Sequence, residues 1–208
     1  MWSLVPRQAQ VLIIVFITLL AATSVEPMLN SLTGQPTSLL RLASPVAFFI
    51  GVLLTSLFSL TWRWLWQKVP ALGRLLFPDL NGRWEGVLHS NWSDPATSKG
   101  IEPVTATVRV YQGLLGVVVR MTTGESTSIS TRAFLVPFRE AGLFRLWYAY
   151  DNGPVARARP RSHPHEGVAH LDLELASPGW LTGRYYTDRG TVGDLELSLA
   201  HRDPDSIA

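Results

Sequence analysis

The sequence predicts two N-terminal transmembrane α-helices followed by an all-β domain, an eight-stranded up-and-down antiparallel barrel of lipocalin-like form. Three observations predict it. Two long uncharged apolar stretches occur before Arg63 and none follows it. Past Pro78, short segments alternate apolar with polar residues, the period of a half-buried strand. Clusters of Gly, Pro, Asn, Asp and Ser separate those segments at the intervals that tight turns require. Composition agrees: of 208 residues, 47% are hydrophobic and only 16% charged, with a mean hydropathy of +0.16. A soluble chain carries nearer a quarter charged residues. Cysteine is absent, which excludes disulfides, thiolate metal sites and cysteine nucleophiles.

In chain order, no charge lies between Arg7 and Glu26, and the core Val11–Ala22 is almost wholly apolar. A first span is expected over residues 8–28. The alternative is a signal peptide, with Arg7 in its basic region and Ala-Ala-Thr-Ser near a cleavage site. Residues 42–62 are again uncharged and form the second expected span. About 20 apolar residues at 1.5 Å per residue cross a hydrocarbon core roughly 30 Å thick. Pro45 is tolerated near a helix start, where its missing N–H would be unpaired anyway. Gly51, Thr55, Ser56 and Ser59 form a small-residue stripe suited to helix packing, within one hairpin or between copies. Arg63, Lys68 and Arg74 follow the second span, so the positive-inside rule puts both termini in the cytoplasm. Trp62, Trp64 and Trp66 fit an aromatic belt at that interface. The expected organisation is a hairpin over 1–70, a juxtamembrane linker over 71–77 and a cytoplasmic barrel over 78–208.

Charge separates along the same boundary. Residues 1–76 hold five basic side chains and one acidic, a net +4, whereas residues 77–208 hold 13 and 15, a net −2. A domain at −2 lacks the diffuse basic surface that a nucleic-acid polymer requires.

Eight strands are expected over 83–90, 103–112, 114–122, 126–136, 143–151, 167–175, 180–187 and 192–200. An eight-stranded barrel has room for side chains or one small ligand, and closing it removes the sheet edges. The one long connection, Asn152 to Glu166, is of a length that is usually functional or mobile. Asn81-Gly82-Arg83-Trp84 contains a G-x-W at the first strand, similar to lipocalins, which assigns Gly82 and Trp84 to a structural plug at one barrel end.

Enzyme motifs are missing: the sequence has no H-E-x-x-H, G-x-S-x-G or phosphate loop. His163-Pro-His165 is the nearest approach to a metal pair and reads more readily as solvated loop polarity. The chain is therefore read as non-enzymatic, with neither metal nor cofactor. More informative are polar residues at strand spacing. Ser126, Ser128 and Ser130 share a face and continue into Arg132; Tyr148, Tyr150 and Asn152 share another. Tyr185-Tyr186-Thr187-Asp188-Arg189 sets two rings beside an arginine. Rings for base stacking, hydroxyl and amide donors, and Arg189 or Arg120 for phosphate would together suit a nucleotide. The same residues also read as solvated Ser/Thr and ordinary strand aromatics.

Four segments taken together point to a family. They are Pro78-Asp79-Leu80-Asn81-Gly82-Arg83-Trp84-Glu85-Gly86, Tyr148-Ala149-Tyr150-Asp151-Asn152-Gly153-Pro154, His165-Glu166-Gly167-Val168-Ala169-His170-Leu171, and Gly183 through Gly193. With two preceding membrane helices, they resemble the SMODS-associating two-transmembrane, β-strand-rich effectors of bacterial CBASS antiphage systems. The resemblance implies a cyclic di- or trinucleotide ligand, made by a cGAS/DncV-like nucleotidyltransferase and bound in the barrel. It also implies residence in the bacterial inner membrane, self-association of the hairpins, loss of membrane integrity and death of the infected cell. The residues carried over are Asn81, Gly82, Trp84, Gly86, Gln112, Ser126, Ser128, Ser130, Asn152, Tyr186, Thr187, Arg189 and Gly193. Gly153 departs from the pattern, which carries a charged residue before the proline. Two other readings stay open: a membrane-anchored lipocalin-like binder of an apolar ligand or lipid, and a structural subunit of a membrane complex.

Overall fold

The computed structural model describes residues 7–34, 39–93, 98–113, 116–160 and 162–202, and the chain divides into two compact units, 2–70 and 71–208. In the first unit, Arg7–Thr33 (α1) and Leu39–Lys68 (α2) are helices that contact one another. α1 continues past the expected end of the span at residue 28 to Thr33, with Pro27 inside it. Pro27 removes only one backbone donor, and the apolar period resumes at Met28. The window Val15–Leu32 is long and apolar enough to cross a membrane, and α1 is the one helix that meets this test among the described residues. Hydroxyls within the helices return to their own backbone: Thr23 Oγ1 to Leu19 O (3.0 Å), Ser24 Oγ to Leu20 O (2.7 Å) and Thr61 Oγ1 to Leu57 O (2.8 Å). Such bonds satisfy the hydroxyl without water.

The three tryptophans of α2 divide between two faces of the helix. Trp62 and Trp66, four apart, share a helix face, are buried and stack edge-to-face at 5.7 Å. Trp64 lies on the opposite face and is exposed.

The second unit begins with one helical turn and a half, Ala71–Leu75 (α3). Eight strands follow: Gly82–Ser90 (β1), Val104–Gln112 (β2), Val117–Thr123 (β3), Ser126–Phe138 (β4), Leu143–Pro154 (β5), His165–Glu174 (β6), Trp180–Thr187 (β7) and Val192–His201 (β8). Each pairs antiparallel with the next, and β8 pairs with β1, so the sheet closes. Closure needs Gly86, because a Cβ there would run into the Glu196 carbonyl across the β1–β8 seam.

Alternation fixes the lumen. Phe144, Leu146, Tyr148, Tyr150 and Asn152 of β5 are buried in sequence, as are Leu171 and Leu173 of β6 and Leu195 and Leu197 of β8. In β4 the phase changes. The pairing with β5 shifts between Ser130 and Arg132, and this bulge turns the inward set from the buried Ser128 and the half-buried Ser126 and Ser130 to Leu135. Arg132 is consequently exposed instead of continuing the serine face.

The end at which β1 begins is closed. Trp84 is fully buried and donates Nε1–H to Leu80 O at 3.1 Å. Asn81 and Gln112, also buried, hold the entering chain to the end of β2. The Gln112 amide N–H donates to Asn81 Oδ1 (2.6 Å), Asn81 Nδ2 donates to Gln112 O (3.0 Å) and Leu80 N–H donates to Gln112 Oε1 (2.7 Å). Gln112 Nε2 also reaches Pro78 O (3.0 Å). Gly82, at φ +145, crosses tightly over the His201 carbonyl, where a side chain has no room. The plug expected of Gly82 and Trp84 is thus a bonded floor.

Candidate functional site

The lumen has two zones. From the floor to mid-height it is filled with aliphatic side chains, among them Val108, Val110, Val119, Leu146, Leu171 and Leu195. Towards the opposite end, where β1 finishes and β4 starts, polar groups replace them. Ser128, Tyr148, Tyr150, Asn152 and Tyr185 are buried there, with His165 and Thr187 partly buried.

Two glycines make space for the rings. A Cβ at Gly167 would collide with the Tyr150 ring, and one at Gly193 with the Tyr185 ring and the His89 carbonyl. Tyr148 and Tyr150 lie 5.9 Å apart, centroid to centroid. Burial pushes the Tyr150 phenol up to about 12 and raises Tyr148 further, so both stay neutral donors. The Tyr148 hydroxyl is buried without a hydrogen-bond partner. An orphaned donor inside a barrel loses free energy until something accepts from it.

Arg189 stands in the β7–β8 turn, exposed at this mouth. Its positive charge opposes the burial-driven rise of Tyr150 and Tyr185 and adds to the lowering of His165, which burial causes first. One guanidinium thus influences groups from β5, β6 and β7. His165 Nδ1 lies 3.2 Å from the His163 carbonyl and 3.4 Å from the Asn152 amide nitrogen. These local contacts, with no acidic partner within the pair, do not resemble a metal site; among the described residues no group of three His, Asp or Glu side chains clusters.

The predicted residues divide. Ser128, Tyr148, Tyr150, Asn152 and Arg189 come together. Ser126, Ser130 and Thr187 face the same end but are engaged in structure. Ser130 Oγ accepts from Val119 N–H (2.9 Å) beside the bulge, Ser126 bonds with Thr123 in the β3–β4 turn, and Thr187 with Thr191 (2.6 Å) in the β7–β8 turn. Arg120 and Tyr186 are exposed on the outer wall, because Val119 and Met121 take the inward phase of β3 and Leu181 and Tyr185 that of β7. The sequence reading did not single out His165 or Gly167 for the lumen, and it named Tyr185 only together with Tyr186, as two rings beside Arg189. The inward parity of Leu181 was the available signal for Tyr185, since Tyr186 and Thr187 cannot both face in. For the hairpin stripe, Gly51 and Ser56 are exposed, and the side chains of Thr55 and Ser59 lie outside the described residues.

The half-buried histidines make stability depend on pH. His165 and His170 both titrate below the ordinary value, chiefly through burial, with Arg189 and Arg145 respectively adding repulsion. The unfolded chain then binds more protons than the folded one as pH falls below about 6.5. Tm is expected to be flat above about pH 7 and to decline as pH drops from there towards 5. In His165→Gln the decline should be shallower; an unchanged profile would assign it elsewhere.

A closed eight-stranded barrel with a bonded floor, an aliphatic lower lumen and a polar aromatic mouth defines a small-ligand receptor module. The family is specific. A model described as Cap15, cyclic dinucleotide receptor domain, matches residues 75–198, more than half the chain, and the chain belongs to that family. It is also 28% identical over 134 residues to CD-NTase-associated protein 15 of Staphylococcus schleiferi. That similarity covers 64% of this chain and 66% of the relative, just under two thirds of its length. The family is the one the four sequence segments pointed to.

Proposed function

We propose that this chain is a CBASS effector that binds a cyclic dinucleotide, or a related cyclic oligonucleotide, at the mouth of its barrel. Tyr150 and Tyr185 offer faces for bases, while Ser128, Asn152 and the Tyr148 hydroxyl offer polar contacts. Arg189 meets a phosphate by a charge-assisted hydrogen bond. The observation that carries this reading is the gathering of Ser128, Tyr148, Tyr150, Asn152 and Tyr185, all buried, at the mouth beside Arg189, in a member of a cyclic dinucleotide receptor family. The ligand comes from a CD-NTase, as the name of the relative implies for that protein. α1 and α2 span the inner membrane with both ends of the hairpin cytoplasmic. Ligand binding favours an assembled state, and the membrane then loses integrity. Gly51, whose Cβ would meet nothing within 4 Å, leaves a flat place on α2 for a second copy. Binding drives assembly only if the assembled state holds the ligand more tightly.

The reading of an apolar-ligand binder is less well supported, because the aliphatic part of the lumen is already filled. Calorimetric titration of the full chain in neutral detergent against a panel of cyclic di- and trinucleotides tests the proposal. At least one is expected to bind with a stoichiometry of one per barrel; failure of the whole panel would reject it.

A further inference from the structure

Outward positions of a solvated sheet are normally polar, yet the outside of β3 to β7 presents Val118, Ile129, Phe134, Val168 and Tyr186, all exposed. Charge is ordered around them. Strand register puts Arg120 of β3, Ile129 of β4, Asp151 of β5 and Glu166 of β6 side by side in one row across the wall. All four are exposed. At about 4.8 Å between strands, the row runs from a cation through an aliphatic centre to two adjacent carboxylates. Asp151 and Glu166 lie directly opposite one another, which is unfavourable for like charges. Arg132, further along β4, is exposed as well, so two arginines and two carboxylates surround Ile129.

We propose that this wall binds the same wall of a second copy of the chain, about a two-fold axis lying in the wall along β4. The inference rests on the assembly in the membrane put forward above and names a surface for it. Such an axis sets Ile129 and Phe134 against their counterparts and exchanges the flanks, so Arg120 of each copy meets Asp151 of the other. Arg132, whose long stem reaches to either side, takes Glu166 of the other copy and relieves the carboxylate pair. A contact of this kind is self-complementary, as a closed dimer requires. An axis along the strands also leaves both barrel floors pointing the same way. The chain arrives from α2 at the floor, with residues 69–76 alone separating Lys68 from the buried Phe77. Two copies anchored in one bilayer need that common orientation.

The test uses the full chain in neutral detergent, without nucleotide. The chain has no cysteine, so one introduced thiol reports one position. Ile129→Cys places a thiol on the axis, where it meets its own counterpart; Glu196→Cys places one on the exposed face of β8, across the barrel. Disulfide closure needs Cβ atoms about 4 Å apart, so mild oxidation is expected to link Ile129→Cys into dimers about tenfold faster than Glu196→Cys. Adding Arg120→Glu should bring the rate down to that of Glu196→Cys, with Tm within about 2 °C of the parent because Arg120 is exposed. Mixing the Arg120→Glu chain with an Asp151→Arg chain, both carrying Ile129→Cys, restores opposite charges between copies. Linking between the unlike chains, read by intact mass, should then recover. Equal rates at the two positions, a rate unaffected by Arg120→Glu, or no recovery in the mixture would each overturn the assignment. Because linking is read without nucleotide, failure of the nucleotide panel leaves it untouched, and failure to link leaves nucleotide binding untouched.

Discussion

Replacing Trp84 with alanine is expected to destabilise the barrel by about 3–5 kcal/mol, the range for removing a fully buried large aromatic. That is a large share of the roughly 5–15 kcal/mol by which a domain is stable. Three losses coincide at this position. The indole is wholly buried, so its removal leaves a void in the floor. Its Nε1–H bond to Leu80 O is lost, leaving that carbonyl without this donor. Leu80 is itself bonded to Gln112, which bonds to Asn81 and Pro78, so disturbance at the floor reaches the seam between the entering chain and β2. A fall in Tm of about 10–20 °C is expected by circular dichroism or scanning calorimetry. Trp84→Phe keeps most of the volume and loses only the N–H, so its fall should be a few degrees. Similar small effects for both substitutions would contradict the role of Trp84 as the floor of the barrel.

The contrast between floor and mouth explains what the sequence could reveal. The eight strands were legible to within three residues at their ends because each has period-two alternation between turn clusters, and Trp84 because G-x-W sits at a strand start. The Asn81–Gln112 exchange was not, since its partners are 31 residues apart and only closure brings them together. The bulge after Ser130 had no signal either: an extra residue leaves composition and alternation locally intact while reversing which face is inward. For the site, residue type was a weaker guide than parity. Arg120 has the right chemistry for phosphate, but Val117, Val119 and Met121 occupy the inward phase of its strand. Tyr186 fails for the same reason beside Leu181 and Tyr185. The close approach of Gly167 to Tyr150 and of Gly193 to Tyr185 is set by the strand register, which residue type alone does not show.

The second large effect concerns Arg189. Arg189→Gln is expected to weaken cyclic dinucleotide binding by about 10- to 100-fold, the effect of losing one hydrogen bond to a charged group. The domain carries no general basic surface, so no neighbouring field compensates for a single lost guanidinium. Position matters as much as charge. Arg189 stands on a short turn braced by Thr187 N–H to Thr191 O (3.0 Å) and by the Thr187–Thr191 hydroxyl pair, and its charge acts on Tyr150, Tyr185 and His165. Arg189→Lys retains charge but loses the bidentate fork and should recover only part of the affinity. Because Arg189 is exposed and the turn bonds do not involve its side chain, Tm without ligand should change by no more than about 2 °C. Calorimetry at two salt concentrations separates the explanations. A placed contact in a partly desolvated mouth leaves most of the discrimination between Arg189 and Gln in place at 0.5 M salt, whereas general attraction to a positive turn would be screened away. Disappearance of the difference at high salt, or unchanged affinity in Arg189→Gln, would remove Arg189 from the phosphate contact.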